Sequence, residues 1–161
     1  SVRDCASPVA RNIAPRERRH EPSRNAAVFT HRIAGTHRLF SVCDANIMAV
    51  TNGETGAQVA QVPIGKRPDA AAYHEKRGLV FSSNGEGTLT VVHQQSADRY
   101  RVLETVKTHT GARTLALDPS NGRVYLVTAE FGPAPAATAA QPRPRPTLVP
   151  DSFPVLVVAP H

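Results

Sequence analysis

Acidic and basic side chains recur in this chain at turn-forming positions between short runs rich in Val, Thr, Phe and Tyr. Asp44, Asn84-Gly85-Glu86 and Glu130 each follow such a run, while Lys66, Arg67 and Asp69, then His109 and Arg113, fall between successive groups of runs. Carboxylates alternating with cations and an imidazole could hold a polar ligand or a divalent metal. The same residue types in tight turns commonly bond their own backbone instead. Both uses stay open for Asp44, Asp69 and Glu86. His109 and Arg113 are the least explained by turn chemistry and are the first choice for mutagenesis. The candidate ligand-binding set is Asp69, Asn84, Glu86, His109, Arg113 and Glu130.

No dedicated catalytic motif accompanies these residues. The sequence contains no GxSxG elbow, HExxH pair, P-loop or EF-hand loop. Gly85-Glu86-Gly87 lacks the third glycine and following helix of a dinucleotide fingerprint. No catalytic residue, metal ligand or cofactor is therefore assigned. Cys5 and Cys43 lie 38 positions apart without CxxC or Cys/His spacing, so two free or incidental thiols are expected rather than a zinc site or disulfide framework.

The elements that position the turns form a repeat. His37-Arg38-Leu39-Phe40-Ser41-Val42-Cys43 aligns with Gly78-Leu79-Val80-Phe81-Ser82-Ser83 and with Gly122-Arg123-Val124-Tyr125-Leu126-Val127. Phe40 and Phe81 are 41 positions apart, and Tyr125 follows after another 44. That period suits one four-stranded blade of a β-propeller. Strand composition and the punctuation by Asn52-Gly53, Asn84-Gly85, Asn121-Gly122 and Asp118-Pro119 favour strands over helical repeats. The Asn-Gly pairs are expected to supply the positive φ angles of tight hairpin turns.

Strands a to d of the middle blade are expected at 70–75, 79–83, 88–93 and 101–107. The preceding blade has b to d at 38–43, 46–51 and 57–63, with Asn25 to Ile33 the only and poorly matching candidate for a. The last blade has a to c at 113–118, 123–128 and 153–158. Its b and c strands flank a Pro/Ala-rich stretch, 132–150, expected to be extended and largely unpaired; Pro142 to Pro146 could be a proline-recognition ligand, but a spacer is the commoner role. The fold class is thus all-β: a partial β-propeller of about three four-stranded antiparallel blades (37–65, 66–108, 109–161), the first and last incomplete. Strand alternation would bring the b-to-c and d-to-a loops, and with them the candidate residues, to one rim.

Three stretches carry a family resemblance: Val59-Ala60-Gln61-Val62-Pro63-Ile64-Gly65 with Pro68-Asp69; Phe81-Ser82-Ser83-Asn84-Gly85-Glu86-Gly87-Thr88-Leu89-Thr90-Val91; and Ala112-Arg113-Thr114-Leu115-Ala116-Leu117-Asp118-Pro119. Over about residues 37–158 the chain resembles the YVTN-type, YncE-like β-propeller repeat proteins. The resemblance implies a seven-bladed ring in a bacterial, often exported protein, and hence a periplasmic or secreted location, although no signal peptide is visible. Three blades fall short of the four to eight of a closed ring, so a truncated piece of a larger ring is expected.

Residues 1–36 do not continue the repeat and are expected to form an irregular basic arm foreign to it. Residues 1–40 carry eight arginines against Asp4, Glu17 and Glu21, so most of the net charge of +6 sits there. Such an arm is usually solvated, and a weak, salt-sensitive contact with nucleic acid is the alternative. No apolar run approaches the length of a membrane span. The open blade edges are expected to promote self-association. The function expected is a non-catalytic binding or scaffold module contacting a ligand or protein at the rim. The alternative is a lactonase-like propeller hydrolase using rim carboxylates, a metal or an activated water.

Overall fold

A computed structural model describes residues 27–33, 36–138, 141–142 and 144–160. These residues form three antiparallel sheets in sequence order. The first holds β1 (Ala27–Ile33), β2 (Arg38–Cys43), β3 (Ile47–Asn52) and β4 (Gln58–Pro63). The second holds β5 (Pro68–His74), β6 (Leu79–Asn84), β7 (Thr88–Ser96) and β8 (Arg99–Lys107), with one 3-10 turn at Glu75–Arg77. The third holds β9 (Arg113–Leu117), β10 (Val124–Val127) and β11 (Val155–Val158), with β11 at its edge. First strands pack side by side, β1 on β5 and β5 on β9, and the outer strands β4 and β8 also meet. This is the arrangement of propeller blades about an axis.

The first blade is complete, which corrects the expectation of an irregular stretch up to residue 36. β1 pairs with β2 from Ala27↔Cys43 to Ile33↔Arg38, around one bulge. Val28, Phe29, Thr30 and Ile33 are β-branched or aromatic, suited to a strand, and differ from the alanine-rich β5, the first strand of the second blade. Residues 1–26, including most of the basic arm and Cys5, lie outside the described residues. Cys43 is disulfide-bonded rather than a free thiol.

The middle sheet is apolar on both faces because it is covered on both. Val80 and Val92 point to the first blade, joining Phe40, Val42, Met48, Val50 and Val62. Phe81, Leu89 and Val91 point to the third, joining Ala112, Val124 and Leu126. The Phe40 ring is stacked against Tyr73 at 5.8 Å and meets Tyr100 edge-on at 5.6 Å. The Tyr73 hydroxyl donates to Gln94 Oε1 at 2.7 Å, Gln94 Nε2 donates to the Tyr100 oxygen at 3.0 Å, and Tyr100 donates to the Ala97 carbonyl at 2.6 Å. Beside this chain, buried Arg38 crosses from β2 to Asp98 at 2.7 Å and to the Ala97 carbonyl at 3.2 Å. The first two blades are thereby joined by an aromatic core with a polar clasp.

The Asn-Gly pairs do not all act as expected. Of the three, Gly122 has positive φ, whereas the left-handed positions of the other two loops are Gly56 and Gly87. The loops are longer than two residues: Gly56 N–H returns to the Asn52 carbonyl and Gly87 N–H to the Asn84 carbonyl. The long loop after β10 is also paired at its base, where Phe131 bridges Leu148 and Gly132 N–H reaches the Thr147 carbonyl.

Two outcomes follow. Phe40→Ala should cost about 3–5 kcal/mol, the usual range for emptying an aromatic core site, measured by urea unfolding. Burial, the largest cause, pushes the Tyr100 phenol up from 10.0 to about 12. The unfolded chain therefore loses that proton first, so this contribution is intact below pH 10 and is lost as pH rises towards 12. Unfolding midpoints should fall over that window, and Tyr100→Phe should flatten the fall.

Candidate functional site

The rim loops of the second blade and its neighbours form one hydrogen-bonded surface. The β6–β7 loop lies between the β4–β5 and β8–β9 connections: Gly85 N–H donates to the Arg67 carbonyl at 2.8 Å, and Gly111 N–H donates to the Gly85 carbonyl at 3.0 Å. Thr108 N–H reaches the Gly87 carbonyl at 2.8 Å, and the Thr128 hydroxyl donates to the Thr110 carbonyl at 3.3 Å. The structure thus brings Asp69, Asn84, Glu86, His109 and Arg113 to neighbouring positions.

Most of their polar atoms are already engaged. Asn84 is wholly buried; its amide donates to Thr88 Oγ1 at 3.1 Å and Thr90 Oγ1 at 2.9 Å, and its carbonyl accepts from Ser82 at 3.1 Å. Half-buried Glu86 accepts from the Thr88 hydroxyl at 3.1 Å. Gly65 sits against the same cluster, where an added Cβ would lie 2.5 Å from Thr88 Oγ1 and 2.6 Å from Glu86 Oε1. Only a glycine lets that backbone approach.

Asp69 serves the neighbouring blade. Its Oδ2 accepts the Thr114 N–H at 2.8 Å and the Thr114 hydroxyl at 3.1 Å, holding a non-glycine residue at φ 48°. Arg67, also at positive φ, donates to the Gly85 carbonyl at 2.6 Å. Turn and blade-joining chemistry therefore accounts for Asp69, Asn84 and Glu86. A charged acceptor holding a strained backbone contributes more than an ordinary turn bond.

The remaining candidates are more open. His109 and Arg113 are exposed, and the Arg113 guanidinium lies over Gly85, whose added Cβ would meet Nε at 2.9 Å. Glu130 is exposed at the base of the long loop, where its backbone carbonyl accepts from Val149 N–H and the Ser152 hydroxyl; Asp44 is exposed in the β2–β3 turn. Among the described residues no three His, Cys, Asp or Glu side chains cluster as a metal site. Asp118 shows the turn chemistry plainly: bonds from the Ser120 hydroxyl and backbone and from Asn121 hold its carboxyl below the usual range.

Two surfaces escaped the sequence reading. One is a groove of about 280 Å³ between the second and third blades, lined by residues including Arg77, Phe81, Leu103, Glu104, Val106 and Val158. Leu103 is displaced outward by a bulge between the Val91 and Val92 pairings of β7 with β8, whose trace in the sequence is a break in alternation at the adjacent Val102-Leu103. The other is apolar and exposed: Phe131, Leu148, Phe153, Val155 and Val157. The repeat could have revealed it, since Val155 and Val157 pair with Val127 and Tyr125 at positions equivalent to covered ones in the other blades.

No protein-family profile matches this sequence, and no curated protein matches it. In structure the chain is similar to Saccharomyces cerevisiae Sqt1, a β-propeller protein, with a TM-score of 0.56 and 8% sequence identity. The match covers 69% of this chain and 34% of Sqt1, so the chain spans about a third of that protein's length. At that identity the likeness establishes the fold, which is a partial β-propeller.

Asp69→Ala should destabilise the fold by about 1–2 kcal/mol, through loss of two bonds to Thr114, with Asp69→Asn milder. Equilibrium unfolding measures both.

Proposed function

We propose that this chain is a non-catalytic β-propeller repeat module that works by binding protein surfaces, as part of a larger, seven-bladed ring of the YVTN type. One observation carries the reading. Met48 and Val50 on the first blade, and Leu89 and Val91 on the second, occupy the same repeat positions and are at most 9% exposed, because the next blade covers them. Their counterparts on the third blade, Val155 and Val157, are 55% and 54% exposed. Tyr125 shares this face as the counterpart of Phe40 and Phe81, and Phe131, Leu148 and Phe153 of the long loop are exposed as well. A face built to be covered marks a protein contact. The cover is further propeller structure or a second copy of this chain.

The rim supports the same reading, because the Asp69 carboxylate is spent on joining two blades and that of Glu86 on Thr88 within its own. An exported location remains part of the proposal through the YVTN resemblance.

The test is photo-crosslinking in cells from a probe placed at position 153. Discrete protein adducts should form, and Val155→Lys with Val157→Lys should abolish them while leaving the unfolding midpoint within a few degrees. Metal-dependent lactone hydrolysis by the purified chain, lost in Glu86→Gln, would overturn the reading in favour of a hydrolase.

A further inference from the structure

We infer that the long loop after β10 is a β-ribbon whose outer edges are closed to strand addition by proline, a built-in barrier against pairing with another extended chain. The barrier acts whatever covers the outer face of the third blade.

The two limbs of the ribbon run from Glu130 to Thr138 and from Gln141 to Val149. At the base, Val149 N–H donates to the Glu130 carbonyl and Gly132 N–H to the Thr147 carbonyl, both at 2.9 Å, on either side of the Phe131–Leu148 bridge. At the tip, Thr138 and Gln141 exchange two backbone bonds, each of 3.1 Å. Six positions separate Gly132 from Thr138, and six separate Gln141 from Thr147. The limbs between base and tip are therefore equal in length, and one register serves both ends.

An antiparallel pair alternates between positions whose N–H and C=O point to the partner limb and positions whose N–H and C=O point away from it. The bonds fix the phase: Glu130 and Gly132, with Val149 and Thr147 across from them, point inward, and so at the tip do Thr138 and Gln141. Pro133, Pro135, Pro142, Pro144 and Pro146 all fall on outward positions, and no proline falls on an inward one.

An outward proline costs the ribbon no bond of its own, since the missing N–H would face away from the partner limb. It removes the donor that an added strand needs, and its ring occupies the place where that strand would lie. Between Gln141 and Thr147 every outward position is proline; between Gly132 and Thr138 Ala137 alone, beside the tip, keeps an outward N–H. Pro133, Pro135, Pro142 and Pro146 are exposed and Pro144 is half-buried, so these edges would otherwise be open to pairing.

The phase also separates this role from the others that a Pro/Ala-rich composition allows. A spacer needs prolines, but not all in one phase. A polyproline ligand has three residues per turn, which would set Pro142, Pro144 and Pro146 on different sides. Spacing by two keeps them along one edge of an extended limb.

Two measurements on the whole chain test the inference. Pro135→Cys with Pro144→Cys places thiols at directly opposed positions and should give one disulfide more than the parent on mild air oxidation. Pro133→Cys with Pro142→Cys, out of register, should leave both thiols titratable. Edge closure is read by sedimentation velocity in a Val155→Lys, Val157→Lys background, which removes association through the outer face. There Pro142→Thr, Pro144→Thr and Pro146→Thr together restore the outward donors and should shift the chain to larger species. Ala134→Thr with Ala136→Thr adds the same residue type at inward positions and should sediment as the background does. Equal disulfide yield from the two cysteine pairs, a triple Thr variant that sediments as its background, or equal association of the Ala134→Thr, Ala136→Thr variant would each overturn the inference.

Discussion

Everything in this fold depends on sheets covering one another's apolar faces. A four-stranded sheet has two faces and no means of burying either alone. The middle blade resolves this on both sides, with Val80 and Val92 against the first blade and Phe81, Leu89 and Val91 against the third. Each large side chain buried in this way contributes about 1.5–3 kcal/mol relative to exposure. The contributions are repeated per interface, so stability accumulates along the array and is weakest where a face lacks its neighbour. Among the described residues, the outer face of the third blade is the one whose repeat positions are exposed.

Polar groups are arranged in service of this stacking. The hydrogen bonds from Gly85 to Arg67 and from Gly111 to Gly85 tie three loops of two blades into one rim. Asp69 reaches from β5 to Thr114 on β9, and Arg38 reaches from β2 to Asp98 beyond β7. These bonds fix the rotation of one blade relative to the next, which apolar contact alone leaves loose. A carboxylate so used is held in place by two donors and has little freedom to reorganise around a metal or substrate. His109 and Arg113 differ in being exposed and free of such duties, and they are the part of the rim best able to meet a partner.

The blade pattern was legible because strand period, turn residues and the Phe40–Phe81–Tyr125 spacing all agreed. β1 was obscured by comparison with an alanine-rich sister strand, although pairing with β2 asks only for extended backbone. The turn geometry at Gly53 and Gly85 was not legible, because the loops are long enough to move the left-handed position to Gly56 and Gly87. The candidate site was legible as a location, since loop direction follows from strand alternation. Its use was not, because sequence cannot show that Asn84 faces Thr88 and Thr90 rather than solvent.

The repeat is also the means of reading surfaces that pairwise contacts do not explain. Where three blades share a plan, a residue buried in two and bare in the third marks an interface by comparison with its own sisters. Val155 and Val157 are identified in this way on the outer face, while Phe81, Val124 and Val158 line the groove on the inner one. The two surfaces lie on opposite faces of the same short sheet.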